Sequence, residues 1–195
     1  ATAASSSSLN PYCGCTYEVT CQSDCPGGLT GATSPKDGSN TIKVCVDTSP
    51  YIMTPEDALQ HELVHVRQLC NQPTGQANTS KEICCGAEND AYMVTCRAAE
   101  SRGQLAALGI SVERCAGMLS NRSCSQFGAN ACATATNTEQ DALTNALKMQ
   151  NDGKCPVPES ERKKEINMCP CTPGTLSGYG NTIGNNLCFI GQCVE

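Results

Sequence analysis

The chain has 195 residues, with 17 Cys, 17 Gly, 10 Pro, no Trp and a formal net charge of -6. Leu, Ile, Val and Phe together make up about 15% of it, below the roughly 20% of an ordinary folded core, yet the charge is too low and the Cys content too high for a disordered chain. No apolar run approaches the ~18–20 residues of a membrane span, and an acidic chain without a basic cluster is a poor nucleic-acid partner, so neither a membrane nor a nucleic acid is expected.

Ala1 to Asn10 (ATAASSSSLN) is small and polar and reads as a Ser-rich tail. Residues 11–38 crowd four Cys among Gly and Pro and read as a stapled, loop-rich lead-in. Thr41 to Asp47 (TIKVCVD) alternates and is β-branched, which predicts a half-buried strand. Thr54-Pro55-Glu56-Asp57 then supplies an N-cap, a proline at N1 and acids in the first turn, and predicts a helix to Cys70 or Asn71. A second helix is predicted from Ser80 to Arg102, with Gly86 a weak point and Gly103 a stop. Ser111 to Leu119 reads as a short helix, and Thr138 to Asn151 as another, capped by Thr138. From residue 154 onward Gly, Pro, Asn and Cys dominate, which predicts a small Cys-rich module or stapled extension after a domain spanning 11–153. The fold class expected is mainly α with a small β element, rich in disulfides.

The cysteines show no C-x-x-C knuckle of the kind zinc ribbons use; their spacings fit disulfides and hence a secreted or extracellular chain. A chain starting at Ala is also what removal of a signal peptide would leave. Adjacent cysteines seldom bridge each other, so Cys84 and Cys85 are expected in two different bonds that, with Cys70, staple the neighbouring helices. Seventeen is odd, which leaves one thiol free, bound to a ligand, or paired with another chain in an intermolecular disulfide or homo-oligomer. Two N-x-[ST] sequons, at Asn78 and Asn121, would matter in a glycosylating host.

The two histidines of the chain are His61 and His65, with Glu62 beside the first: His61-Glu62-Leu63-Val64-His65. At i and i+4 of a helix both imidazoles share one face and can grip one metal ion. Glu62 is offset by one residue, placed to reach a water rather than the metal. The helix start seven residues earlier is an independent reason to place this segment on a helix.

H-E-L-V-H behind a strand resembles the zincin metallopeptidases. The resemblance implies that zinc (Zn2+) binds His61 and His65, and that Glu62 is the general base for the attacking water. The branch with a third histidine is excluded, because no further His exists. The gluzincin branch takes a Glu from the following helix, where Glu82 and Glu88 stand; Glu88, in Glu88-Asn-Asp-Ala91, is preferred, and Asp90 is the aspartate alternative. Ala87 and Ala91, with Gly86, would let the two helices approach closely. Over about 40 residues the pattern is also similar to the mitochondrial peptidase that processes an ATP synthase subunit. Tyr92, one turn past Glu88, is a candidate for stabilising the oxyanion, and Asn89 or Asp90 for steadying an imidazole through its second nitrogen. The 41–47 strand is a candidate sheet edge for an extended peptide.

These expectations add up to a secreted zinc-dependent peptidase on a minimal zincin-like fold, acting on a peptide or protein substrate. The rival class is a disulfide-cross-linked extracellular structural or surface-assembly protein that keeps the zincin fold without using it. A third is a zinc-stabilised binding module.

Overall fold

The computed structural model of the chain describes residues 15–26, 29–49, 53–70, 80–148, 153–166, 188–189 and 192–193. The Ser-rich tail, the Asn78 sequon and most of the C-terminal Cys-rich stretch lie outside the described residues. Four helices and a four-stranded mixed sheet build the body of the molecule.

The sheet comprises β1 (Cys15–Gln22), β2 (Gly31–Thr33), β3 (Thr41–Asp47) and β4 (Lys163–Ile166), in the order β2-β3-β1-β4. β1 and β3 run parallel, with Val19 opposite Val44, and β2 and β4 pair antiparallel on the two sides. On β3 the alternation expected from the sequence is realised: Ile42, Val44 and Val46 are buried, while Lys43 is exposed. The stapled lead-in is not all loop, because Cys15, Tyr17, Val19 and Cys21 alternate with polar residues to form the longest strand of the sheet. Two further short strands, β5 (Cys188–Phe189) and β6 (Gln192–Cys193), pair antiparallel.

α1 (Pro55–Cys70) begins as its sequence predicts, with the Thr54 hydroxyl accepting from the Asp57 amide at 3.0 Å. α2 (Lys81–Ser101) is capped by Ser80 and runs through Gly86 without a break. Asp57 in the first turn of α1 pairs with Arg102, the cap residue at the end of α2, at 2.8 Å, which sets the two helices antiparallel. α3 (Val112–Ser123) is capped by Ser111 and extends one turn past the expected Leu119. α4 (Asn137–Leu147) starts at Thr136 rather than Thr138. Thr136 and Glu139 form a reciprocal capping box, a T-x-x-E signal present in the sequence and stronger than a lone Thr138.

The core lies between the sheet and α1, then continues through α2 to α3 and α4. Val19, Ile42, Val44 and Val46 meet Ala58, Leu59 and Val66. Beyond them sit Cys96, Ala99, Met118, Leu119, Leu143 and Leu147. Such a core is small-residue rich, and among the described residues six disulfides tie its elements together: Cys15–Cys70, Cys21–Cys155, Cys25–Cys45, Cys84–Cys124, Cys85–Cys132 and Cys96–Cys115. Cys84 and Cys85 do serve two different bonds. Cys70 ties the end of α1 to β1, and Cys21–Cys155 ties the stretch leading into β4 back to the same strand.

Asn121 is not a glycan acceptor in this fold. It is buried, its amide nitrogen donates to the Ala133 carbonyl, and its oxygen accepts from the Cys132 and Ala133 amides. No helix among the described residues is long and apolar enough to cross a membrane.

Candidate metal centre

α1 presents His61 and His65 on the face turned towards α2, and α2 presents Glu88 opposite them. The His61 and His65 Nε2 atoms lie 3.2 Å apart, and Glu88 carboxylate oxygens lie 3.8 Å from the first and 3.6 Å from the second. This triangle can hold a metal ion. Bond lengths to zinc of about 2.0–2.2 Å put the ligand atoms of a tetrahedral site about 3.3–3.5 Å apart, close to the edges found here. The donor chemistry agrees: two imidazole nitrogens and a carboxylate oxygen converge on one point. The residues present therefore fit a zinc ion.

Ala87 and Ala91 are both buried, and the Ala87 carbonyl accepts a hydrogen bond from Gln68 of α1. At Gly86, by contrast, a Cβ would meet nothing within 4 Å. Of the other candidate ligands, Glu82 and Asp90 are exposed and stand outside the triangle.

Glu62 is buried and its carboxylate is held from the sheet, not from a helix. The Thr33 hydroxyl donates to Glu62 Oε2 at 2.6 Å. Gly31, two residues earlier on β2, lies flat against the same side chain; a Cβ there would fall 2.8 Å from Glu62 Cγ and 2.9 Å from its Cδ. Only glycine lets β2 approach so closely.

Electrostatics at the site are set by burial and by the carboxylates. Burial pushes the His61 pKa down to about 3, helped by the neighbouring His65. Burial also opposes a charge on His65, but hydrogen bonding to and the charge of Glu88, together with the charge of Glu62, hold it up at about 9. Glu88, in turn, is held below its ordinary value: burial opposes its ionisation, but the His65 hydrogen bond and charge prevail. Burial pushes Glu62 up to about 7, against the pull of His65 and of the Thr33 hydroxyl.

Tyr92 is buried with its ring edge-on to His61, the centroids 4.3 Å apart, and its hydroxyl 3.0 Å from Ser123 Oγ. Burial, with the nearby Glu88 charge, raises the phenol's pKa, so it stays protonated. Ser123 also helps hold the Glu88 pKa down and is the last residue of α3, next to Cys124, whose disulfide to Cys84 ties that end of α3 to α2. Steadying of an imidazole falls to Gln68 rather than to Asn89 or Asp90: its side-chain oxygen is 2.9 Å from His65 Nδ1. Its spacing, three residues past His65 on the same helix, was the available signal. Nothing comparable pointed to Thr33 or Ser123, which arrive from distant elements.

These residues line a cleft of about 470 Å3. One wall is β2 with Leu29 and Thr30, the floor is His61, Glu62, His65 and Glu88, and the far wall is Tyr92 with Arg122, Ser123 and Ser125. β3 is not the sheet edge; it lies between β1 and β2, and β2 is the edge strand on this side. The Thr30 carbonyl and Ser34 amide bond to β3, so the alternation of an antiparallel pair turns the Gly31 and Thr33 backbone groups outward, along the cleft. No strand occupies that side among the described residues.

What the fold and site together define is a helix-pair cluster that could hold a metal ion, with a buried carboxylate beside it and an open strand edge above it. No family model, curated protein or solved structure matches the chain.

Proposed function

We propose that this chain is an extracellular zinc-dependent peptidase with a zincin-like arrangement of strand, motif helix and ligand helix. The observation that carries the reading is the conjunction of the His61–His65–Glu88 triangle with the buried Glu62 carboxylate at the foot of an open strand edge. A purely structural metal site has no need of the fourth group. Such a site also closes its coordination with a fourth protein ligand, and among the described residues the group that could hold an ion here has three members.

Zinc bound by His61, His65 and Glu88 would supply Lewis acidity and make water a nucleophile near neutral pH. The protein's own residues do the rest. The Gly31 and Thr33 backbone groups pair with an extended peptide and lay its scissile carbonyl over the floor of the cleft. Glu62 accepts the proton of the attacking water and passes it to the leaving amine. Tyr92, kept protonated by burial, donates to the developing oxyanion. The walls of the cleft exclude bulk water from one side of the reaction.

The test is Glu62→Gln in a peptide-hydrolysis assay with metal content measured on the same sample. The expected outcome is loss of hydrolysis by about 10^2–10^4-fold, the scale of removing a general base, with one zinc per chain retained. Hydrolysis that survives the substitution would contradict the assignment of Glu62.

A further inference from the structure

Gln68 stands one turn past His65 on α1 and makes two hydrogen bonds that face opposite ways. Its Oε1 is 2.9 Å from His65 Nδ1, and its Nε2 donates to the backbone carbonyl of Ala87 on α2 at 3.1 Å. The second bond decides the first. A carbonyl oxygen only accepts, so the amide nitrogen must face Ala87 and the amide oxygen must face His65. An amide oxygen likewise only accepts, so the His65 nitrogen opposite it carries a proton. The neutral imidazole that would ligate a metal therefore keeps Nδ1–H on the Gln68 side and offers its lone pair on Nε2. That Nε2 is the atom 3.2 Å from His61 Nε2 and 3.6 Å from Glu88.

We infer that Gln68 is a positioning residue of the metal centre: it fixes the ring orientation and tautomer of His65 that offer Nε2 to the ion, and it is itself aimed by the α2 backbone. The inference rests on the reading of the triangle as a zinc site. Ala87 immediately precedes Glu88, so one side chain relates a ligand on α1 to the backbone beside a ligand on α2. A displacement of either helix along its axis would break one of the two bonds. His61 has no equivalent support. Among the described residues its buried Nδ1 has no hydrogen-bond partner, and its ring packs against Tyr92. The polar alignment of the two imidazoles thus depends on Gln68.

The measurement is zinc affinity, by chelator competition, of the full disulfide-bonded chain and two variants. Gln68→Met keeps length and shape but removes both bonds. Gln68→Glu keeps an acceptor for Nδ1–H and removes the donor to Ala87. Wild type should bind one zinc. Gln68→Met should bind it about 10–100-fold more weakly, the usual effect of losing such a partner, and Gln68→Glu at least about 5-fold more tightly than Gln68→Met. In the zinc-loaded proteins, 15N-resolved NMR should show a protected His65 Nδ1–H in wild type and in the Glu variant, and a lost or exchange-broadened one in the Met variant. Circular dichroism and melting curves of the metal-free proteins separate these effects from unfolding.

Equal affinity of wild type and Gln68→Met would overturn the inference while leaving the zinc site standing. A Glu variant no tighter than the Met variant would also overturn it, and would make Gln68 a helix-to-helix tie alone. A wild type that takes up no zinc would instead remove the metal-centre reading itself, a result visible before any variant is compared.

Discussion

At Glu62 opposing influences meet within one side chain. Burial raises its pKa towards 7, while the His65 charge and the Thr33 hydrogen bond pull it down. Thr33 therefore has a definable chemical effect, because its hydroxyl bonds the ionised form and not merely the chain. Thr33→Val should raise the Glu62 pKa, leave less of the base ionised at neutral pH, and move the acid limb of the kcat/KM profile to higher pH. Activity at pH 7 should fall about 5-fold, the change that a shift of roughly one unit from a pKa near 7 would give, with zinc content unchanged. Thr33→Ser should restore most of it. A pH profile identical to wild type in the Val variant would show that Thr33 acts only in the sheet. Residues of this kind were hidden in the sequence: Thr33 lies 29 positions before its partner, and only folding of β2 onto α1 brings them together. His61, Glu62 and His65 were legible because helical spacing alone joins them, and Glu88 because it follows at the expected place on the next helix.

Elements whose ends carry local chemistry were readable to within a residue or two. Thr54 opens α1, Ser80 opens α2 and Ser111 opens α3, each through a hydroxyl that accepts from a first-turn amide. β1 was obscured because its alternating residues include two cysteines, which suggest a stapled loop by density although they serve as the apolar face of a strand. β2 has three residues, too few for any periodicity, and β4 has one buried residue in four. Gly86 illustrates a limit of a different kind. Small residues next to a candidate ligand suggest close packing, but while Ala87 and Ala91 are buried, a Cβ at Gly86 would meet open space. It weakens α2 without a compensating contact, so Gly86→Ala should stabilise the protein by about 0.5–1 kcal/mol, read as a raised midpoint in denaturant. A destabilised variant would mean that the glycine serves a contact not seen in this structure.

Across the whole molecule, a modest apolar core is framed by covalent ties that converge on the site. α1 is fixed to β1 by Cys15–Cys70, and α2 to α3 and the loop after it by Cys84–Cys124, Cys85–Cys132 and Cys96–Cys115. The two ligand helices are thus each anchored to a different body, and between them lie Ala87, Ala91, the Asp57–Arg102 pair and Gln68. Metal coordination would be the remaining cross-link between α1 and α2. The most direct measurement is the zinc-to-protein ratio of the purified, non-reduced chain, made by elemental analysis before any chelator is used and again after zinc is added back and excess removed. The account predicts about one zinc per chain, abolished by His61→Ala together with His65→Ala. A chain that holds no zinc in either sample would contradict it, and His61, His65 and Glu88 would then be a buried ion-pair cluster on a stapled helix pair.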